Sequence, residues 1–457
     1  MTATATLELT PPPVADVSEN MFLQGNFAPV ERELTIGELP VVGALPPELC
    51  GSLLRNGPNP ARPAANYHWF VGDGMLHAIQ LERGRAVGYR NRWVRTPSLE
   101  KAIGLPAAAQ SPTAAAPGFG WGSIHVVQHA GRLLAPGEVG LPYEIDAQAN
   151  TLRQYDFDGA LRTNMTGHPK IDPQTGEMFF FGYDFGPVNL RYHVADAQGR
   201  LTKTLEIPTK GPTMMHDFAV TASRVVFLDL PAIFDLQLIA SGYSMPYRWD
   251  EQYGARVGVM RRDGDGSDLR WIEIPACYVY HLFNAYDDGQ KIVLDLVEHP
   301  HTFRDSPAQR NRRDLSPAVR WVIDPERGSV TRTVLDPRGQ EFPRIDPRRS
   351  MQRNRIGYSV ERAFPEAEPS ALLKHDFVRG VSEAHTLPPG CTPGEGVFVP
   401  IGAGEDEGYL LAQVFDAGTG KSHVRVIDAQ KFADEPAAIV QLPVRMPFGF
   451  HGEFISS

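Results

Sequence analysis

"GYLLAQVFDAGTGKSHVRVIDAQ" (residues 408–430) places two runs of Val, Leu, Ile and Phe on either side of Asp416-Ala-Gly-Thr-Gly420. The leading Asp can accept bonds from the backbone two residues on, and the closing Gly adopts a left-handed conformation without steric cost. The stretch therefore predicts a β-hairpin. The same texture recurs in "GEMFFFGYDF" (176–185), "SRVVFLDL" (223–230), "QKIVLDLVEH" (290–299) and "AVRWVIDPERGSVTRTVLD" (318–336). Two further turns, "DPQTG" (172–176) and "DPERG" (324–328), repeat the Asp-to-Gly pattern. Helical periodicity is scarce. It is confined to "PSLEKAIG" (97–104) and to one turn within "VIDAQKFADEPAAIVQLP" (426–443).

Short strands repeated over 457 residues exceed what one open sheet accommodates. A double sandwich, a large barrel or a propeller would each close the edges. A propeller is preferred, because a seventh of the chain, about 65 residues, holds four strands and elaborated loops. The expectation is an all-β, seven-bladed β-propeller. A flexible arm is expected over residues 1–20, with one domain over 21–457.

Composition supports a large core: hydrophobic residues make up 42% of the chain and charged residues only 21%. The net charge of −10 and the lack of any basic run argue against nucleic acid as a partner. Cys50, Cys277 and Cys391 are odd in number and far apart, which fits a reducing compartment better than a disulfide framework. The opening "MTATATLELTPPPVADVSEN" has neither a basic nor an apolar signal region, and no apolar run is long enough to span a bilayer. A cytoplasmic protein is expected. One Ala/Pro/Gly-rich stretch, "IGLPAAAQSPTAAAPGFGWG" (103–122), is either a plain surface insertion or an apolar lip making peripheral membrane contact.

Fourteen histidines are present, and four stand in unusual company: "TGHPKID" (His168), "MMHDFAV" (His216), "YHLFNAY" (His281) and "FGFHGEF" (His451). They are separated by 48, 65 and 170 residues, roughly one, one and three blades. Equivalent inner positions of different blades converge on a propeller's axis, where imidazoles can hold a metal. Local spacing does not decide the matter: no HxH or HxxxH places two of these four on one element. "HDF" recurs at 375–377, and His68, His77, His125, His129, His193, His299, His301, His385 and His423 have equal formal claim.

Several longer motifs, in order, resemble the carotenoid cleavage oxygenases, a family that includes apocarotenoid and lignostilbene-type dioxygenases. They are "GNFAPVERE", "GSLLRNGPNP", "HWFVGDGMLHAI", "HPKIDPQTGEMFFFGYDF", "GPTMMHDFAVTASRVVFLDLP", "YHLFNAYDDG", "EFPRID", "GEGVFVP" and the terminal "FGFHG". The resemblance implies a seven-bladed propeller with loops capping an axial site. It also implies one Fe(2+) per chain, held by His168, His216, His281 and His451 and leaving His375 outside the set. Three glutamates behind the ligands match Glu138, Glu341 and Glu395. Such carboxylates take the other N–H of a ligating imidazole and offset the metal's charge.

The implied chemistry is a non-haem Fe(II) dioxygenase reaction, in which O2 cleaves a conjugated C=C bond of an apolar alkene to two carbonyl products. No residue is nominated as a catalytic acid or base. No GxGxxG or GxxxxGK[ST] motif is present, consistent with a reaction that needs no nicotinamide, flavin or 2-oxo acid. Phe283 and Phe450, beside the histidines, are candidates to line a substrate tunnel, with plain core packing as the alternative. Stilbene-cleaving relatives carry a lysine just before the first glutamate, where this chain has Gly137. A carotenoid or apocarotenoid substrate is therefore preferred over a stilbene or phenylpropanoid alkene, and a retinoid-type isomerase is more remote. A non-catalytic ligand-binding propeller is the alternative from another class.

Overall fold

In a computed structural model, described over residues 20–112, 120–184, 190–303, 315–361 and 370–457, seven sheets of four or five antiparallel strands form the blades of a β-propeller. Their innermost strands are, in order, Val127–His129, Lys170–Ile171, Ala219–Val220, Leu282–Asp288, Gln340–Arg344, Cys391–Pro400 and Gly452–Ser456. We number the blades 1 to 7 in that order. The 408–430 stretch forms a hairpin in blade 6, Gly408–Asp416 paired with Lys421–Asp428. Its turn works as its residues predict: Asp416 Oδ1 accepts from Gly418 N at 2.8 Å, and Gly420 has φ +66°.

Blade 7 is assembled from both ends of the chain. Its innermost strand, Gly452–Ser456, pairs with Gly51–Pro58, from Arg55 opposite Gly452 to Gly51 opposite Ser456. Leu34–Ile36 adds the outer edge of blade 7, and Val41–Gly43 that of blade 6. Radial repetition leaves only short, protected edges, and pairing the last strand with the first segment ties the ring shut, so the C-terminal strand closes the fold. Burying Ile455 alone contributes about 2 kcal/mol to that closure.

The short helix forms over Pro97–Ile103, with the Thr96 side chain capping Leu99 N at 3.1 Å and Gly104 left-handed after it. The second helical signal is one 3-10 turn, Ala429–Lys431, followed by strand Ala438–Gln441. Blade 3 carries an excursion that periodicity did not single out: a two-stranded sheet, Ala232–Phe234 with Tyr247–Trp249, around the helix Leu236–Ala240. Residues 1–19 of the expected arm and 113–119 of the 103–122 stretch lie outside the described residues. Asn20 already bonds to Ala65 O and Tyr67 O. Cys50, Cys277 and Cys391 are all free thiols. No helix among the described residues is long and apolar enough to cross a membrane.

Candidate metal centre

His168, His216, His281 and His451 each stand within three residues of the start of an innermost strand, in blades 2, 3, 4 and 7. The fold therefore delivers four imidazoles to one level of the axis. The Nε2 atoms of His168 and His216 are 3.0 Å apart, and those of His216 and His281 3.3 Å. The His451 ring lies 4.6 Å from that of His168 and 4.7 Å from that of His281. His168–His216, His168–His281 and His216–His281 ring separations are 4.5, 4.9 and 5.1 Å. The compact ligand-atom cluster comprises His168, His216 and His281. His451 packs on His168 and His281.

Blades 5 and 6 contribute carboxylates instead of imidazoles, each from a β-bulge. In blade 5 the register slips between Glu341 and Arg344, and in blade 6 between Pro393 and Gly396. A bulge re-aims a side chain that a regular strand would send elsewhere. Phe342, beside Glu341, has φ +54°, a conformation costing a non-glycine residue about 1 kcal/mol. Its N–H donates to Glu341 Oε2 at 2.6 Å, which helps hold that geometry.

Each carboxylate backs a different histidine. Glu341 Oε2 is 2.6 Å from His281 Nδ1, and Glu395 Oε1 is 2.8 Å from His451 Nδ1. Glu138, in the loop between blade 1 strands Arg132–Ala135 and Tyr143–Ile145, puts Oε2 3.0 Å from His216 Nδ1. That contact is close enough for an ion pair but lacks hydrogen-bond alignment. Tyr183 Oη donates to the other Glu138 oxygen at 3.0 Å. Among the described residues, no carboxylate ion pair is recorded on His168.

Electrostatics keep Glu341 and Glu395 ionised. Burial opposes the charge on Glu341, but His281 and His299 outweigh it and hold this carboxyl below the usual range. Burial likewise opposes Glu395, and Arg344 and His451 hold it down. The imidazoles behave differently. Burial pushes the His451 pKa down to about 4 despite Glu395, and lowers that of His168 with help from the neighbouring histidines. At His216 burial also disfavours the proton, but Glu138 prevails and the pKa rises.

A carboxylate accepts only, so His281, and His451 likewise, must donate Nδ1–H to its glutamate, which leaves Nε2 as a bare lone pair. The Nε2 atoms of His168 and His281 then face that of His216 at 3.0 and 3.3 Å. A single proton on His216 relieves one of these contacts and leaves the other lone pair opposed. A cation relieves all of them. The donor set therefore fits a divalent transition metal of the kind that accepts imidazole nitrogen.

Three neighbours escaped sequence reasoning. His299 donates Nε2–H to Glu341 Oε1 at 2.7 Å, and its Nδ1 is 2.8 Å from Ser316 Oγ. His125, just before the blade 1 inner strand, lies 5.1 Å ring-to-ring from His451, with Arg344 Nη1 3.4 Å from its Nε2. Arg344 itself reaches Glu395 at 3.7 Å and Glu453 at 3.2 Å. Arg344 stands within "EFPRID", yet nothing local gives any of the three a role; only their convergence across blades does.

Of the two tunnel candidates, Phe450 joins an aromatic wall, 4.6 Å from Trp69 and 6.0 Å from Phe70, which in turn meets Tyr280 at 5.7 Å. Tyr280 packs on His216 and Phe342 on His281. Phe283 packs elsewhere, against His375 and Phe377 in a core cluster between blades. The register slips between Leu282 and Asn284, so strand parity does not extend from His281 to Phe283. His375 bonds to Ser359 and Ser382 at 2.9 and 2.8 Å, satisfied within blade 5.

Comparison with known proteins agrees with this architecture. The family profile described as RPE65, retinal pigment epithelial membrane protein, matches residues 27–456. A carotenoid cleavage oxygenase from Mycobacterium tuberculosis is 37% identical, over 96% of this chain and 98% of its own. A carotenoid 9,10(9',10')-cleavage dioxygenase from Crocus sativus is 34% identical, over 95% and 89%. Among solved structures, the lignostilbene dioxygenase of Pseudomonas brassicacearum superposes with TM-score 0.87 at 25% identity, covering 96% of this chain and 99% of that one. With motifs, propeller and histidine cluster in agreement over nearly the whole length, the chain belongs to the RPE65/carotenoid cleavage oxygenase family.

Proposed function

We propose that this protein is a non-haem Fe(II) dioxygenase that cleaves a conjugated double bond of a carotenoid or apocarotenoid. The observation that carries the proposal is the cluster of axial imidazoles whose Nε2 atoms face one another while carboxylates stand behind His216, His281 and His451. His168, His216, His281 and His451 would hold one Fe(2+), with Glu138, Glu341 and Glu395 fixing ring orientation and offsetting charge. Iron in this setting supplies O2 activation beside the alkene. In the overall reaction one C=C bond and one O2 are consumed, and each alkene carbon leaves as a carbonyl holding one oxygen atom.

The residues of the chain supply position and dryness. Glu341 and Glu395 fix the tautomers of His281 and His451 through bonds of 2.6 and 2.8 Å. Trp69, Phe70, Tyr280 and Phe450 form an apolar wall suited to a polyene and excluding water from the reacting bond. Substrates this apolar partition into membranes. Peripheral contact through the 103–122 stretch, in a cytoplasmic protein, completes the proposal.

A stilbene or phenylpropanoid alkene is the second reading, favoured by the close superposition on a lignostilbene dioxygenase. Against it stands Gly137, which offers no cation to a phenol oxygen. Incubation under ¹⁸O2 with apocarotenals and hydroxystilbenes side by side separates the two. The expected result is cleavage of the apocarotenal with ¹⁸O in both carbonyl products. Cleavage of hydroxystilbene alone would overturn the substrate, and label in only one product would overturn the dioxygenase reaction.

A further inference from the structure

The glutamates account for three of the four histidines, yet one further carboxylate lies among the ligand-bearing strands. Asp217 follows His216, and its side chain is 2% exposed. Its Oδ1 is 2.6 Å from Lys170 Nζ, two residues after His168 in blade 2. The same oxygen accepts from Phe218 N at 2.8 Å in its own blade 3. Its Oδ2 accepts from Leu282 N at 3.2 Å, the residue after His281 in blade 4. One buried carboxylate thus joins the three strands that bring His168, His216 and His281 together. The Lys170 ammonium also lies 6.0 Å from the centre of the buried Phe218 ring.

We infer that Asp217 is a positioning residue of the metal centre, neutralising Lys170 beside His168 while tying the His168, His216 and His281 strands into one register. The inference rests on the metal assignment above. His168 is the histidine for which no carboxylate ion pair is recorded among the described residues, and the cation nearest it in the sequence is Lys170. Without Asp217, that ammonium would be left partly buried beside a site meant for a divalent cation. Like charges in so dry a setting repel strongly. Removal of a charge partner behind a metal ligand typically weakens binding about 10–100-fold.

The test uses full-length apoprotein, with Fe(II) affinity from chelator competition under argon and the visible ligand-field spectrum of the Co(II) form. Asp217→Asn keeps shape and an acceptor oxygen but loses the charge. Its Fe(II) dissociation constant should rise by about 10-fold or more, with a shifted Co(II) spectrum, in a protein that still unfolds cooperatively at a lower melting temperature because one backbone N–H loses its acceptor. Removing both charges in Asp217→Asn/Lys170→Met should restore most of the affinity, because no unpaired ammonium remains. Wild-type affinity in Asp217→Asn, or a double variant no better than the single one, would overturn the inference. Wild-type protein that binds neither metal would instead overturn the metal assignment.

Discussion

Deleting residues 451–457 should yield protein without iron and without a stable fold, whereas His451→Ala in the full chain should lose iron and keep the fold. The last strand is both the innermost strand of blade 7 and the closure of the ring. His451 is locked by its backbone: its N–H donates to Ile124 O at 3.1 Å, and its carbonyl accepts from Asn56 N at 3.0 Å. The flanking glycines are steric requirements. A Cβ on Gly449 would sit 2.7 Å from Asn56 O, and one on Gly452 2.6 Å from Leu54 O. Truncation removes the ladder from Gly51 to Arg55 and buried Ile455 together, a loss of several kcal/mol against a typical total of about 5–15 kcal/mol. His451→Ala keeps that ladder, and Glu395 retains Gly452 N at 2.9 Å and Arg344. Circular dichroism and iron analysis of both proteins check this. A truncated protein that stays folded with bound iron would contradict it.

Glu341 should be the most consequential of the three glutamates. It accepts from His281, His299 and Phe342 N at 2.6, 2.7 and 2.6 Å, more donors than Glu138, whose contact with His216 is misaligned. Glu341→Leu would strand two buried imidazoles and a backbone N–H. Iron affinity should fall at least 100-fold, beyond the usual cost of about 10–100-fold for one supporting partner. Glu341→Gln should be milder, near the lower end. Its oxygen can stay on His281 and Phe342 N while its amide faces His299, which can change tautomer by donating Nδ1–H to Ser316. Glu138→Gln should cost less than either. Fe(II) titration of the three variants gives the ranking, and an equal loss in all three would contradict the electrostatic account.

The fold was legible in hairpins such as 408–430 because turn chemistry and strand alternation are local. The blade number was less so, since no repeat is visible as sequence identity and, apart from the family resemblance, only chain length favoured seven. The four histidines were equal to ten others by spacing alone; the family motifs selected them. His299, Arg344 and the Lys170–Asp217 pair were not legible, because each acts on a residue in another blade or across a turn that one-dimensional spacing does not encode. Asp217 was in plain view within "MMHDFAV", but its partners lie 47 and 65 positions away. Phe283 and Phe450 show the same limit. Both neighbour a ligand in sequence, yet a slip in register sends one to the core between blades, whereas the other joins the aromatic wall.

The central claim is that four blades present imidazoles to one iron ion. It is tested most directly by loading full-length apoprotein with Fe(II) under argon, removing loose metal and measuring iron per chain, beside His168→Ala, His216→Ala, His281→Ala and His451→Ala. Wild type should retain about one iron per chain, and each variant far less, since every ligand lost weakens a site built for all four. Wild-type protein that is folded yet retains no iron, or variants that all keep it, would contradict the account.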